Sequence, residues 1–148
     1  MHTFAKITAA TCFLAICTPA IAAEDPIATR QALMKNVGAA MKVAGAMMKG
    51  QMEYDAAAAE LAMRTINSSA LGFPAFFPDN SKTGGDTEAA PAIWEDMAGF
   101  NKISAQFAAD TAAAADAAKG GMDSFKGAFG KMAGNCKACH EKYRVKKN

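Results

Sequence analysis

The stretch that decides the fold lies near the end of the chain: Gly134-Asn135-Cys136-Lys137-Ala138-Cys139-His140-Glu141-Lys142-Tyr143-Arg144, GNCKACHEKYR, with four residues after it. Its two thiols are three positions apart, and an imidazole follows the second directly. On a helix, positions 136, 139 and 140 share one face. Whether the rest of the chain supplies that helix, and a second wall for these groups to face, is the question to carry outward.

At the other end, residues 1–23, MHTFAKITAATCFLAICTPAIAA, have a short n-region with Lys6, an apolar stretch from Ile7 to Ile16, then Pro19 and small residues. This reads as a cleaved secretory signal peptide, too short in its apolar part for a spanning anchor. The mature protein is therefore expected in the periplasm, with no membrane association, as one domain over 24–148. Processing removes Cys12, Cys17 and His2, which leaves Cys136, Cys139 and His140 as the only cysteines and histidine. The charge is then nearly balanced, 15 basic side chains (16 less Lys6) against 14 acidic, which argues against nucleic acid as a partner.

Helical patterning fills almost everything between. Asp25-Pro26 is an N-cap followed by Pro at N1, and Leu33/Met34, Val37, Met41, Ala44 and Met48 then recur at helical spacing until Gly50. Asp55 caps a second helix, AAAAELAMRTINSSAL, with Ala58, Leu61, Thr65 and Ile66 expected inward. Residues 71–90 hold Pro74, Pro78 and Gly84-Gly85 without any period and form the one long connection. Pro91 is expected to open a third helix with Ile93, Met97, Phe100, Ser104, Phe107 and Thr111 inward, ended by Gly120-Gly121. Asp123 is expected to cap the fourth, whose inward side carries Phe125, Phe129, Met132, Cys136, Cys139/His140 and Tyr143. The predicted fold class is all-α, an antiparallel up-down-up-down four-helix bundle.

Cys-x-x-Cys-His is the attachment site of c-type haem: thiols one turn apart reach two vinyl groups on one porphyrin edge, and the histidine comes under the iron. A structural zinc site wants four ligands, and three remain here. A thioredoxin-like dithiol wants a βαβ setting that this pattern lacks. The cofactor expected is one haem c, held by Cys136 and Cys139 with His140 as iron ligand. Glu141 to Asn148 contains no Met, His or Cys, so a sixth ligand has to come from upstream.

In the C-terminal CKACHEKYR, the Arg30-x-x-x-Met34 pair of TRQALMKNVG, the KGQMEYDAAA junction and the AAPAIWEDMAGF opening of the third helix, the sequence resembles the class II c-type cytochromes, the cytochrome c′ family, over essentially its whole mature length. The resemblance implies a four-helix bundle with haem near the end of the fourth helix, often homodimeric. It implies His140 as proximal ligand and a first-helix residue, here Met34, on the distal side. In one branch that residue only packs over five-coordinate iron; in the other it is a ligating methionine.

Axial register agrees with Met34. In an antiparallel bundle it lies about 13 Å from the start of the first helix, and His140 about 12 Å from the end of the last, so the two are level. Met97 is the competing ligand; Met41 and Met48 read as core filling. Arg30, one turn before Met34, is expected to meet the haem propionates, and Arg144 to lie beside the His140 imidazole. Trp94 reads as core near the haem. The function expected is electron transfer without catalysis, by iron cycling between Fe(III) and Fe(II), with redox partner proteins docking at a haem edge ringed by Lys137, Lys142, Lys146 and Lys147. The alternative is a five-coordinate protein that binds nitric oxide or carbon monoxide.

Overall fold

The computed structural model describes residues 25–145, so the expected signal peptide, Lys146 and Lys147 lie outside the described residues. Asp25 begins α1 (Pro26–Met48) by accepting a 2.9 Å hydrogen bond from the Ile27 N–H, with Pro26 in the first turn. Gly50, at φ 67°, then reverses the chain in a conformation that costs a residue with Cβ. Asp55 opens α2 (Ala56–Gly72), its carboxylate accepting from Ala58 N at 2.7 Å. Short 3₁₀ turns at Phe73–Phe76 and Asp79–Ser81 punctuate the long connection.

Two helix starts differ from expectation. The helix predicted from Pro91 is a single turn, α3 (Ala92–Glu95), followed by a break at Asp96, φ −134° and ψ 59°, before α4 (Met97–Ala118). Asp96 is the cap of α4: its carboxylate accepts from Gly99 N at 2.9 Å, and a capping residue has to leave helical backbone angles to do so. At the last helix, α5 (Met122–Tyr143), Gly121 at φ 90° holds the cap position. Asp123 lies inside the first turn, where its charge complements the helix dipole rather than capping an N–H.

The four long helices form the bundle, α2 packing on α1 and α4, and α4 on α5. Its closed end is small and dry: Ala44 and Met47 from α1, Ala59, Met63 and Ile66 from α2, Ala114 and Ala118 from α4, Phe125 and Met132 from α5 are all fully buried. The alanines let the backbones approach while the methionines fill what remains. Leu61 and Thr65 do not belong to this core. The buried row of α2 is Ala59, Ala62/Met63, Ile66 and Ser69/Ala70, which leaves Leu61 67% exposed. A second cluster, Phe77, Ile93, Phe100 and Tyr143, caps the other end, with Trp94 and Met97 packed against it.

Candidate cofactor site

Between those two clusters, α1 and α5 face each other across a cavity of about 910 Å³. That volume is at the upper end of the ~300–1,000 Å³ typical of cofactor pockets. From α1 the walls take Arg30, Met34, Val37, Gly38 and Met41; from α4, Phe100, Ile103, Ser104 and Phe107; from α5, Asn135, Cys136, Cys139, His140 and Tyr143, with Arg144 just beyond it. Residues 86–89 close the end.

Cys136 and Cys139 are free thiols, each half-buried, and burial pushes both above the ordinary cysteine range. His140 lines the same cavity yet remains exposed, because the cavity opens to solvent beside it. Burial lowers the imidazole's proton affinity, the nearby Arg144 charge lowers it further, and Glu88 opposes both. Met34 lines the α1 wall as expected from register. Met97 does not line it and packs in the aromatic cluster instead. Met41, read from sequence as core filling, both packs on the closed core and lines the cavity.

Arg30 has partners that the sequence did not reveal. It is 4% exposed and donates through Nη1 to Phe76 O and Ser81 Oγ, each at 2.9 Å, and through Nη2 to Ser81 O and Thr87 Oγ1, each at 3.1 Å. Its guanidinium also lies 4.6 Å from the centre of the Phe77 ring. All four acceptors are neutral, so the guanidinium is held within the protein without a protein carboxylate. Burial pulls its pKa down, and Asp25 partly offsets that. The side chain thereby fastens the connection to α1, and Gln31 adds a bond to Asp86 O at 3.1 Å.

The far side of the same segment is tied to α5. Ala89 and Arg144 form an isolated antiparallel bridge, with Ala90 N donating to Tyr143 O at 3.0 Å and Val145 N to Glu88 O at 2.8 Å. Arg144 pairs with Glu88 at 2.5 Å. Residues 86–90 are thus a strap from α1 to the chain just beyond His140. Trp94 holds the loop from below, its Nε1–H donating to Phe77 O at 3.0 Å.

Two carboxylates of the α4 side fix α5. Asp96, besides capping α4, accepts from Lys142 Nζ at 2.6 Å and Tyr143 Oη at 3.2 Å, bonds that hold it below the usual carboxylate range, Lys142 contributing most. Lys142 is therefore engaged with α4 rather than standing free at a cofactor edge. Asp110 accepts from Lys131 at 2.8 Å and from Asn135 Nδ2 at 2.9 Å, and with Gln106 these bonds lower it to about 2. Asn135, unremarked in the sequence, carries this brace to the residue before Cys136.

A family profile described as Cytochrome C′ matches residues 25–144. The chain belongs to the cytochrome c′ family. It is 43% identical over 132 residues to a cytochrome c′ of Rhodopseudomonas palustris, covering 87% of this chain and 88% of that one. It is also 36% identical over 141 residues to a cytochrome c-556 of Agrobacterium fabrum, covering 95% of each. Among solved structures, a cytochrome c′ from Rhodopseudomonas palustris superposes with TM-score 0.78 at 41% identity, over 85% of this chain and all of that one. A nitric oxide complex of a mutant cytochrome c′ from Alcaligenes xylosoxidans superposes with TM-score 0.74 at 31% identity, over 83% and 95%.

Membership makes covalently attached haem c the cofactor, and the residues present fit it. Two half-buried free thiols one turn apart, an imidazole at the next position and a largely apolar cavity of the right size converge on one place. Among the described residues no helix is long and apolar enough to cross a membrane.

Proposed function

We propose that this cytochrome c′ family member is a periplasmic one-electron carrier rather than a catalyst, in which Met34 would join His140 in holding the haem iron. Bound haem supplies an iron that exchanges one electron between Fe(III) and Fe(II). Cys136 and Cys139 would hold it through two thioethers and His140 would ligate its iron from α5, with Arg144 placed where its charge lowers the basicity of that imidazole. The observation that carries the proposal is that Met34 on α1 and His140 on α5 line the same cavity. Around it Val37, Gly38 and Met41 offer no acid or base, which disfavours peroxide chemistry. Arg30, already satisfied by Phe76, Ser81 and Thr87, has its buried positive charge on the cavity wall and is suited to a propionate edge.

A second reading has a specific observation behind it. The relative from Alcaligenes xylosoxidans was solved as a nitric oxide complex, and in that reading Met34 is a lid over an open iron that takes nitric oxide or carbon monoxide. Oxidised wild-type protein with a near-infrared His/Met charge-transfer band, and reduced protein that does not take up carbon monoxide, support the carrier. High-spin spectra and ready carbon monoxide binding overturn it in favour of the gas binder. A homodimer is proposed through the α1–α2 face, where Leu33 and the exposed Leu61 line a shallow groove. A relative is described by its ligand-controlled dimer dissociation. Sedimentation equilibrium tests this face with Leu61→Lys.

A further inference from the structure

Of the lysines expected to ring the cofactor edge, the two among the described residues both have carboxylate partners. Lys142 is paired with Asp96, and Lys137 lies 3.8 Å from Glu141. By contrast α1 contains no acidic residue, and Lys35, Lys42 and Lys49 recur along it at seven-residue spacing, all exposed. Among the described residues none of the three has a carboxylate partner. Lys35 lines the cavity mouth, so this row runs from the mouth down the bundle.

α5 adds one lysine to this side. Lys131 and Lys142 are eleven residues apart, on the side that pairs with Asp110 and Asp96 of the α4 side. Lys126 and Lys137, also eleven apart, lie about 140° further round the helix at ~100° per residue, on the side away from α4. Lys126 is exposed and, among the described residues, unpaired. The strap end of the mouth is different in kind: Asp86 and Glu88 offset the positive charge there, Glu88 through Arg144.

We propose that the outer face of the α1/α5 pair, where Lys42, Lys49 and Lys126 continue down the bundle from Lys35 at the cavity mouth, is the docking surface for an acidic protein that exchanges one electron with this one. This rests on the carrier reading. Unpaired charges of one sign beside a cofactor opening steer an oppositely charged partner and raise association rates by roughly 10- to 1,000-fold, an advantage that salt removes.

The test uses two one-electron donors of opposite charge with the oxidised holoprotein: flavodoxin hydroquinone, an acidic protein, and hexaammineruthenium(II), a small cation. Each loses one electron as the iron gains it. With flavodoxin the second-order rate falls about tenfold or more between low and high salt, and Lys35→Glu/Lys42→Glu/Lys126→Glu lowers the low-salt rate by a similar factor. The ruthenium rate rises in the same variant. Lys102→Glu, an exposed unpaired position on α4, changes either rate less than about twofold. A triple variant indistinguishable from Lys102→Glu overturns the docking surface and leaves the carrier standing. Wild type that takes electrons from neither donor overturns both. Binding of wild type, but not the triple variant, to phosphatidylglycerol vesicles, with an unaltered flavodoxin rate, assigns the face to a membrane and overturns the protein partner.

Discussion

The two ends of this bundle are built from the same four helices and solve opposite problems. At the closed end, alanines at helix crossings and the side chains of Met47, Met63, Phe125 and Met132 remove all space. At the other, α1 and α5 stay apart around about 910 Å³, and the separation is kept by directional bonds: Arg30 to the loop, Arg144 to Glu88, Lys142 and Tyr143 to Asp96, Asn135 to Asp110. Apolar packing tolerates exchange of shape and gains from burial alone, whereas a wall facing a cavity has to be fixed by groups whose geometry matters. The difference teaches where function was placed: at the end that packing does not close.

The largest expected effect removes what the open end is built to hold. Cys136→Ser/Cys139→Ser should abolish covalent attachment, so that acid-acetone extraction leaves a colourless polypeptide and its mass shows no added haem. Wild-type protein treated the same way should stay coloured. Haem retained covalently by the double variant would break the assignment of the site.

Next comes a paired truncation that measures the contrast directly. Phe125→Ala opens a hole in the fully buried core and should cost about 3 to 5 kcal/mol in urea unfolding of the holoprotein. Met34→Ala alters a half-buried wall that already borders space, and should cost no more than about 2 kcal/mol, the low edge for buried methionine. Its spectrum should change far more than its stability, to high-spin bands with carbon monoxide uptake. Equal stability losses at the two positions would mean the open end is packed like the closed one.

How far each end was legible follows from the same distinction. The closed end obeys local patterning: Asp25-Pro26, Asp55 and the three- and four-residue spacing of Val37, Ala44 and Ile66 led to α1 and α2 without reference to any distant residue. The motif at Cys136, Cys139 and His140 was likewise local, and antiparallel register was enough to put Met34 on the wall of the cavity that these residues line. What escaped depends on sequence-distant partners. The bonds of Arg30 to Phe76, Ser81 and Thr87 were not foreseen, because nothing in the pattern ties it to residues 46 to 57 positions away. Asp96 looked like one more residue in a helix from Pro91, since its capping role depends on Gly99 and its second duty on Lys142 and Tyr143. Leu61 misled because an apolar residue was assumed to face inward, while smaller Ala59 and Ala62 fit the close α2 contacts.

A smaller effect tests the strap. Arg30→Met keeps an apolar stem but removes all four hydrogen bonds of the guanidinium, each to a neutral acceptor, and should cost about 3 kcal/mol, the range for losing one partner of a buried charged network. The loss should be local. Amide exchange at residues 86–90 should quicken while that of Met63 and Ile66 keeps its wild-type protection. Uniform loss of protection would show that the two ends do not fold as separable units.

The smallest expected effect concerns the α4–α5 brace and is read from how stability changes in acid. Asp110 is held at about 2 by its bonds from Lys131, Asn135 and Gln106, below the ordinary carboxylate value of about 3.9. Its folded-state pKa is therefore depressed. The stability it contributes is complete above about pH 4, where both states are ionised, and is lost as pH falls toward 2, where the unfolded chain takes up the proton first. Asp110→Asn removes the titrating group and its pairing with Lys131, yet a side-chain oxygen remains for Asn135 to bond. The variant should be modestly less stable at pH 7 and should lose less on going from pH 4 to pH 2, so that the two stability curves converge in acid. Because Asn135 lines the cavity next to Cys136, the same variant is the cleanest probe of whether the brace matters to the site. A visible spectrum unchanged at pH 7 would limit Asp110 to holding α5 against α4, and curves that stay parallel down to pH 2 would show that the carboxylate is not held low by the fold at all.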